Sequence, residues 1–410
     1  MSISTIFYII IWITILEFVL TRYLGYLNTK NWSETLPDEA KGIYNEKKYQ
    51  KSQKYEKEKY HFSQVSSAFS FVIMILILVL GGFGYLDTYL RTFTENIIVL
   101  PLVFFGIIVL IQTIVGLPFS YYSTFVIEEK YGFNKMDRKM FFLDSIKGLI
   151  LSAVIWGILL SLILWVYSFV WESFWIWAWA IMTLFTLFFM MFYSTFIVPL
   201  FNKQTPLKDG ELKTAIETFA KKVGFKLDNI YVIDGSKRST KANAYFSWIG
   251  SKKRIVLYDT LIKDLSTDEL VAVLAHEIGH YKRKHTFQML AFSIVQTGFM
   301  LYVFSLALWI ENISLALGAQ QGSFHIGSVA FGILFTPLSV VLGMLSSVLS
   351  RKNEYEADAY AKEFGNAWDL IWGLKKLSIN NLSNLRPHPA YEFFYYSHPT
   401  VLKRIEALGK

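Results

Sequence analysis

Seven stretches of this chain are apolar over lengths that can cross a bilayer, at roughly 3–24, 65–86, 97–117, 148–170, 173–199, 288–310 and 326–350. A hydrocarbon core about 30 Å thick needs about 20 such residues as a helix. The pattern predicts a mostly α, polytopic membrane protein with seven transmembrane helices. Between the fifth and sixth stretches the pattern changes. Residues 208–223 read as a helix that stops at Gly224, and 229–234, 243–249 and 254–260 read as β-strands. The predicted organisation is five spans within 1–200, a small α+β unit at 201–287, two spans within 288–350 and a C-terminal segment at 351–410. The first stretch has neither a basic n-region nor a small-residue cleavage site, so it reads as a retained span and not a signal peptide. Its Glu17 is either a functional intramembrane acid or a side chain near an interface that faces water.

Composition agrees with this pattern. A length of 410 residues permits two or three soluble domains, but 53% hydrophobic and 17% aromatic residues with a mean hydropathy of +0.37 place the chain among membrane proteins. The absence of cysteine excludes disulfides and thiolate metal sites. A net charge of +8 suggests nucleic acid in a soluble protein; here the basic residues gather in particular loops, so membrane lipid and not nucleic acid is the expected partner. Eight lysines from Lys30 to Lys59 separate the first two spans, and Lys130, Lys135, Arg138, Lys139 and Lys147 separate the third and fourth. The second connection has only Arg91, while 171–172 and 311–325 have no Lys or Arg. The alternation predicts an N-terminus outside, with the 200–287 segment and the C-terminus in the cytoplasm. The lysine- and tyrosine-rich stretch 41–64 reads as a charged helix with a solvated or headgroup-facing surface, and 118–137 as an amphipathic connection.

The chemistry centres on His276-Glu277-Ile278-Gly279-His280, inside a helix opened by a capping box at Ser266 and Glu269. Histidines four apart share a helix face and offer ring nitrogens to one metal ion, with Glu277 beside it as general base. Zinc suits such a site. A third ligand is required. His285 points to other faces of the same helix, and Thr286 stands where a metzincin places histidine. Glu354 and Asp358, one turn apart, are the best candidates: Glu354 as ligand, and Asp358 hydrogen-bonding the outer nitrogen of a ligand histidine. The alternative is an ordinary amphipathic helix with exposed acids. His61, His325 and His388 stand without evident partners. His398 and Arg404 either stabilise an oxyanion or anchor the last helix. A sheet ahead of the metal helix leaves an edge strand to which a peptide can add. The basic loop 235–242 is either a reader of carboxylate or phosphate, or a solvated hairpin connection.

Several segments together resemble the type I CAAX prenyl proteases, membrane-embedded gluzincin metallopeptidases. They are LPFSYYSTFVIEEKYGFNK (117–135), VPLFNKQTPL (198–207), SKRSTKANAYF (236–246), RIVLYDTL (254–261), LAHEIGH (274–280), NEYEADAYA (353–361) and YSHPTVLKRIEAL (396–408). The resemblance implies seven spanning helices around a large intramembrane chamber, with a cytoplasmic zinc-protease unit. It implies one zinc ion on His276, His280 and Glu354, with Glu277 as base and Asp358 behind the ligands. It further implies catalytic support from His398 and Arg404, and an edge strand at Asn243, Ala244, Tyr245 and Phe246 that binds substrate. Eukaryotic members remove the C-terminal tripeptide from prenylated proteins, so the expected partner is a peptide or protein, a prenylated C-terminus included.

The chain departs from that pattern in places. Lys241-Ala242 replaces a common His-Ser, Lys403 stands where Glu often precedes the arginine, and Leu261 runs to Ser266 without the long insertion of animal members. The chain ends without an ER-retention signal. These features lead to the expectation of a bacterial cytoplasmic membrane rather than the ER, where a quality-control protease with non-prenylated substrates is the alternative function. A transporter-like protein or an inactive scaffold gives no reason for the histidine pair beside Glu354 and Asp358. A site-two type protease places its motif within an apolar span, whereas Asp268, Glu269 and Lys282–Lys284 flank this one.

Overall fold

The computed structural model describes residues 1–241, 244–247 and 254–409. Its longer helices, in chain order, are α1 (Ile3–Thr29), α2 (Glu46–Val79), α3 (Gly82–Arg91), α4 (Val99–Tyr131), α5 (Arg138–Phe169), α6 (Phe174–Phe201), α7 (Glu211–Lys222), α8 (Thr267–Lys282), α9 (His285–Leu308), α10 (Phe324–Phe364), α11 (Ala367–Asn380) and α12 (Val401–Gly409). Among the described residues, seven are long and apolar enough to cross a membrane: α1, α2, α4, α5, α6, α9 and α10. The protein is an integral, multi-pass membrane protein.

The spans touch in the order α1–α2–α4–α5–α6–α9–α10 and back to α1, and α4 also meets α10. That order is a closed ring.

Four details differ from the sequence reading. The second span ends at Val79 instead of near 86, because Gly81 takes a left-handed turn (φ 67°) and the chain restarts as α3. The charged stretch 41–64 is mostly the first half of α2, and it is not simply solvated. It buries Tyr44, Tyr49 and Tyr55, with the Tyr44 hydroxyl donating to the Ser378 carbonyl at 2.6 Å. The last span runs unbroken to Phe364, so α10 carries Glu354 and Asp358 on the same rod that crosses the membrane. The sheet has four described strands in the order β1-β2-β4-β3, where three runs were legible in the sequence. The added strand β1 (Gln204–Pro206) has only three residues and pairs antiparallel with β2 (Asn229–Ile233). β2 pairs in parallel with β4 (Arg254–Tyr258), and β3 (Ala244–Ser247) lies antiparallel on the free side of β4. Among the described residues β3 is therefore an edge strand.

The sheet, α7, α8, α11 and the end of α10 share one apolar core. Ile216, Phe219, Ile255, Leu257, Leu274, Ile278, Tyr360, Leu370 and Leu374 are buried in it. At the opposite end of the ring, α3 lies against the 311–319 segment, where Gly84 donates its amide to the Leu317 carbonyl. A Cβ on Gly84 would run into the Gly318 carbonyl. His325, without an evident partner in the sequence, meets buried Asp87 there at 2.7 Å, and Arg91 bonds the other oxygen of Asp87.

Gly84→Ala is therefore expected to destabilise the protein by about 1–3 kcal/mol through overpacking. Gly106→Ala, where nothing lies within 4 Å, is expected to be neutral or stabilising by up to about 1 kcal/mol. Thermal unfolding of the two variants in detergent should move in opposite directions; equal shifts would show that the seam at Gly84 yields.

Candidate metal centre

The helix α8 starts as its sequence dictates. Ser266 accepts from the Glu269 amide, and the Glu269 carboxylate accepts from the Ser266 amide at 2.8 Å. Lys376 holds the same carboxylate at 2.7 Å, tying α8 to α11. Ten residues on, Gly279 crosses α10. A Cβ there would sit 3.1 Å from the backbone of Ala357, so only glycine permits the approach without a shift. The crossing sets His276 and His280, on one side of Gly279, against Glu354 and Asp358, on either side of Ala357.

Three donor atoms converge at this point. His276 Nε2 lies 3.4 Å from Glu354 Oε2, His280 Nε2 lies 3.2 Å from Glu354 Oε1, and the two Nε2 atoms are 3.2 Å apart. A tetrahedral ion with bonds of about 2.05 Å has donor–donor edges of about 3.3 Å. The three groups fit that geometry. Glu354 Oε2 is buried and accepts no hydrogen bond from a described residue, while Arg404 Nη1 stands 3.5 Å from it. Burial and Arg404 press the His276 pKa down, but hydrogen bonds to Asp358 and Glu354 outweigh them and hold it at about 9. The same carboxylates attract a metal cation.

The surrounding space is a cavity of about 530 Å³ that reaches from this cluster to α6 and α9. Glu277, His280, Glu354 and His398 line one side, and Met190, Met289 and Leu290 from α6 and α9 line the other. Burial is the largest influence on Glu277 and pushes its pKa up, with Glu354 adding to the rise against His276, His280 and Arg404. A carboxylate so placed is a better proton acceptor than one in water.

Two family models divide the chain between them. One described as CAAX prenyl protease N-terminal, five membrane helices, matches residues 25–203, and peptidase family M48 matches residues 206–410. The CAAX prenyl protease 1 of Saccharomyces cerevisiae is 36% identical over 96% of this chain and 93% of its own length. The human CAAX prenyl protease 1 homolog is 33% identical, covering 91% and 88%. The crystal structure of Saccharomyces mikatae Ste24p superposes with a TM-score of 0.94 at 36% identity, covering 99% of both chains. The chain belongs to peptidase family M48. It is a metalloprotease of the membrane.

Around the M48 cluster the other candidate residues fall into place unequally. Asp358 Oδ1 accepts from His276 Nδ1 at 2.8 Å. Arg404 is buried behind Asp358, donating from Nε at 2.8 Å and from Nη2 at 2.6 Å, and it does not line the cavity. Its guanidinium therefore braces the ligands, where the sequence had also offered it as an oxyanion donor. His398 faces the cavity, with Nε2 3.4 Å from Glu354 Oε1. Of the predicted substrate residues, Ala244, Tyr245 and Phe246 lie on edge strand β3, and Asn243 is outside the described residues. The basic loop is less available for anions than its sequence suggests. Arg238 is paired with Asp144 at 2.8 Å and Lys241 with Glu128 at 2.7 Å. His388 caps a short helix at Pro389–Tyr395, and His61 is exposed.

Sequence reasoning missed one M48 neighbour. His285 stands too far round from His280 to share a face if α8 continues, but α8 ends at Lys282. Lys284 takes a left-handed conformation (φ 60°), and the reversed chain brings His285 Nδ1 to 3.0 Å from His280 Nδ1. No glycine marked that turn.

Gly279→Val is expected to lower bound metal markedly although residue 279 is no ligand, because the added side chain drives α8 from α10. Metal per protein, measured after gel filtration, checks this. A fully loaded variant would mean the crossing tolerates separation.

Proposed function

We propose that this protein is a zinc endopeptidase of the membrane that cuts near the C-terminus of prenylated CAAX peptides. The observation that carries the reading is the convergence of His276, His280 and Glu354 at about the edge lengths of a tetrahedral ion, in a cavity walled on its far side by Met190, Met289 and Leu290 together with Thr186, Thr286 and Ser293. The relatives' names supply the substrate class. Met190, Met289 and Leu290, on spans α6 and α9, offer contact to an apolar or lipid-bearing peptide end.

Zinc bound by these three ligands would polarise the peptide carbonyl and make a water more acidic. Glu277 takes the proton of the attacking water and delivers it to the departing amine. His398 donates to the carbonyl oxygen as negative charge develops there. Asp358, fixed by Arg404, holds the ring of His276 in position from its outer nitrogen. A peptide that extends β3 along Ala244–Phe246 is oriented by main-chain hydrogen bonds.

The catalytic unit in this reading combines 201–287 with 351–410, the segments that share the core around α8. The lysine-rich connections between spans support a cytoplasmic unit and an N-terminus outside. A bacterial cytoplasmic membrane is retained as the proposed location on the short Leu261–Ser266 connection alone, since the relatives named above are eukaryotic.

Two measurements test the proposal. Purified protein with about one zinc is expected to cleave a prenylated CAAX peptide faster than its unprenylated twin, while Glu277→Gln keeps its zinc and loses at least about 100-fold in rate. Equal cleavage of both peptides would favour a quality-control protease; an active Glu277→Gln would remove the base assignment. Because the chain lacks cysteine, single cysteines at Lys47 and Thr92 report topology. In right-side-out vesicles an impermeant thiol reagent should label position 92 and not 47, and the reverse would invert the protein.

A further inference from the structure

His276 and His280 are supported from behind in different ways. His276 is held by Asp358 directly. Behind His280 stand His285 and then Glu356, two residues the mechanism above does not use. We propose that His285 and Glu356 form a positioning relay that fixes the ring and the proton of His280, and so sets how tightly the metal is held. This rests on the reading of His276, His280 and Glu354 as zinc ligands.

The geometry leaves one consistent assignment of protons. His280 turns Nε2 toward Glu354 and His276, so Nε2 presents its lone pair to the metal and Nδ1 carries the hydrogen. That hydrogen points at His285 Nδ1, 3.0 Å away, which must accept it. The proton of His285 then sits on Nε2, 3.1 Å from Glu356 Oε2, where it is donated to the carboxylate. Each link requires the next. An imidazole is thus inserted between ligand and carboxylate, in place of the direct contact at His276.

Two features argue that the arrangement is more than a satisfied buried histidine. Lys284 adopts φ 60° without being glycine, a conformation that costs about 1 kcal/mol or more, and this turn is what carries His285 back onto His280. Moreover α10 contributes to both supports. It presents Glu354 and Asp358 to α8, and Glu356 to the start of α9. One helix thereby sets the orientation of both histidine ligands. Such outer partners typically change metal affinity by about 10- to 100-fold when removed.

The test uses the full-length zinc-loaded protein in detergent, with chelator-driven zinc release as the main readout and the visible spectrum of the cobalt-exchanged protein as a second. His285→Phe keeps the ring's volume without its nitrogens, Glu356→Gln removes the carboxylate at a half-exposed position that spares folding, and Lys352→Ala is the control, since Lys352 only approaches Glu356 at 3.7 Å. Zinc release is expected to quicken about 10- to 100-fold in His285→Phe and less in Glu356→Gln. The double variant should be no faster than His285→Phe alone, and both single variants should shift the cobalt spectrum. His285→Gln, which can still accept and donate, should recover part of the loss. Release within about twofold of wild type in both single variants, or fully additive effects with an unchanged cobalt spectrum, would overturn the relay. Glu354→Ala, run alongside, separates the two levels. If it loses zinc while the relay variants keep theirs, only the relay fails; if it too holds zinc as wild type does, the ligand set is wrong and the relay falls with it.

Discussion

The contact of Gly279 with Ala357 governs the rest of this structure. It brings two helix backbones close enough that a histidine pair on one and a carboxylate on the other can share an ion. Neither helix reaches that position alone. The capping box fixes the start of α8, Lys376 ties that end to α11, and the core under Leu274 and Ile278 presses the helix onto the sheet. α10 arrives from the membrane as a continuous rod and is held on the other side by Arg404. The geometry of three donor atoms is thus settled by packing well outside them.

Charge is arranged with the same economy. Two buried carboxylates and a buried guanidinium would each be costly alone in this setting. Arg404 neutralises Asp358 through paired hydrogen bonds and stands 3.5 Å from Glu354 Oε2, which accepts no hydrogen bond from a described residue. The net attraction for a cation is concentrated where the imidazole nitrogens point. Met190, Met289 and Leu290 add apolar surface to a lining that also carries Thr186, Thr286, Ser293 and Ser350.

Much of this could be read from the residues, because spans and metal motifs are written in local patterns. Seven apolar stretches, the helix around His276 and the outlying pair Glu354 and Asp358 all follow from spacing along one helix. What could not be read depended on meeting between segments. The strand β1 is too short and contains Pro206, so nothing in its composition marks it. The stretch 41–64 looks solvated because its lysines dominate the eye, while its tyrosines supply the buried side. His325 and His285 find partners only through the closure of the ring and through a left-handed lysine. Arg404 was legible only as an oxyanion donor or an anchor of the last helix, and its bond to Asp358 depends on the meeting of two distant helices.

The continuity of α10 carries a consequence for biosynthesis. His276 and His280 leave the ribosome well before Glu354, and the ligand that completes the cluster sits at the far end of the last helix to enter the bilayer. On the proposed roles, a nascent chain with six spans inserted has the histidine pair and Glu277 but not Glu354. Competence to cut peptides is then acquired last, after the ring of spans has closed. A half-made molecule is spared from attacking its neighbours in the membrane where it is being built.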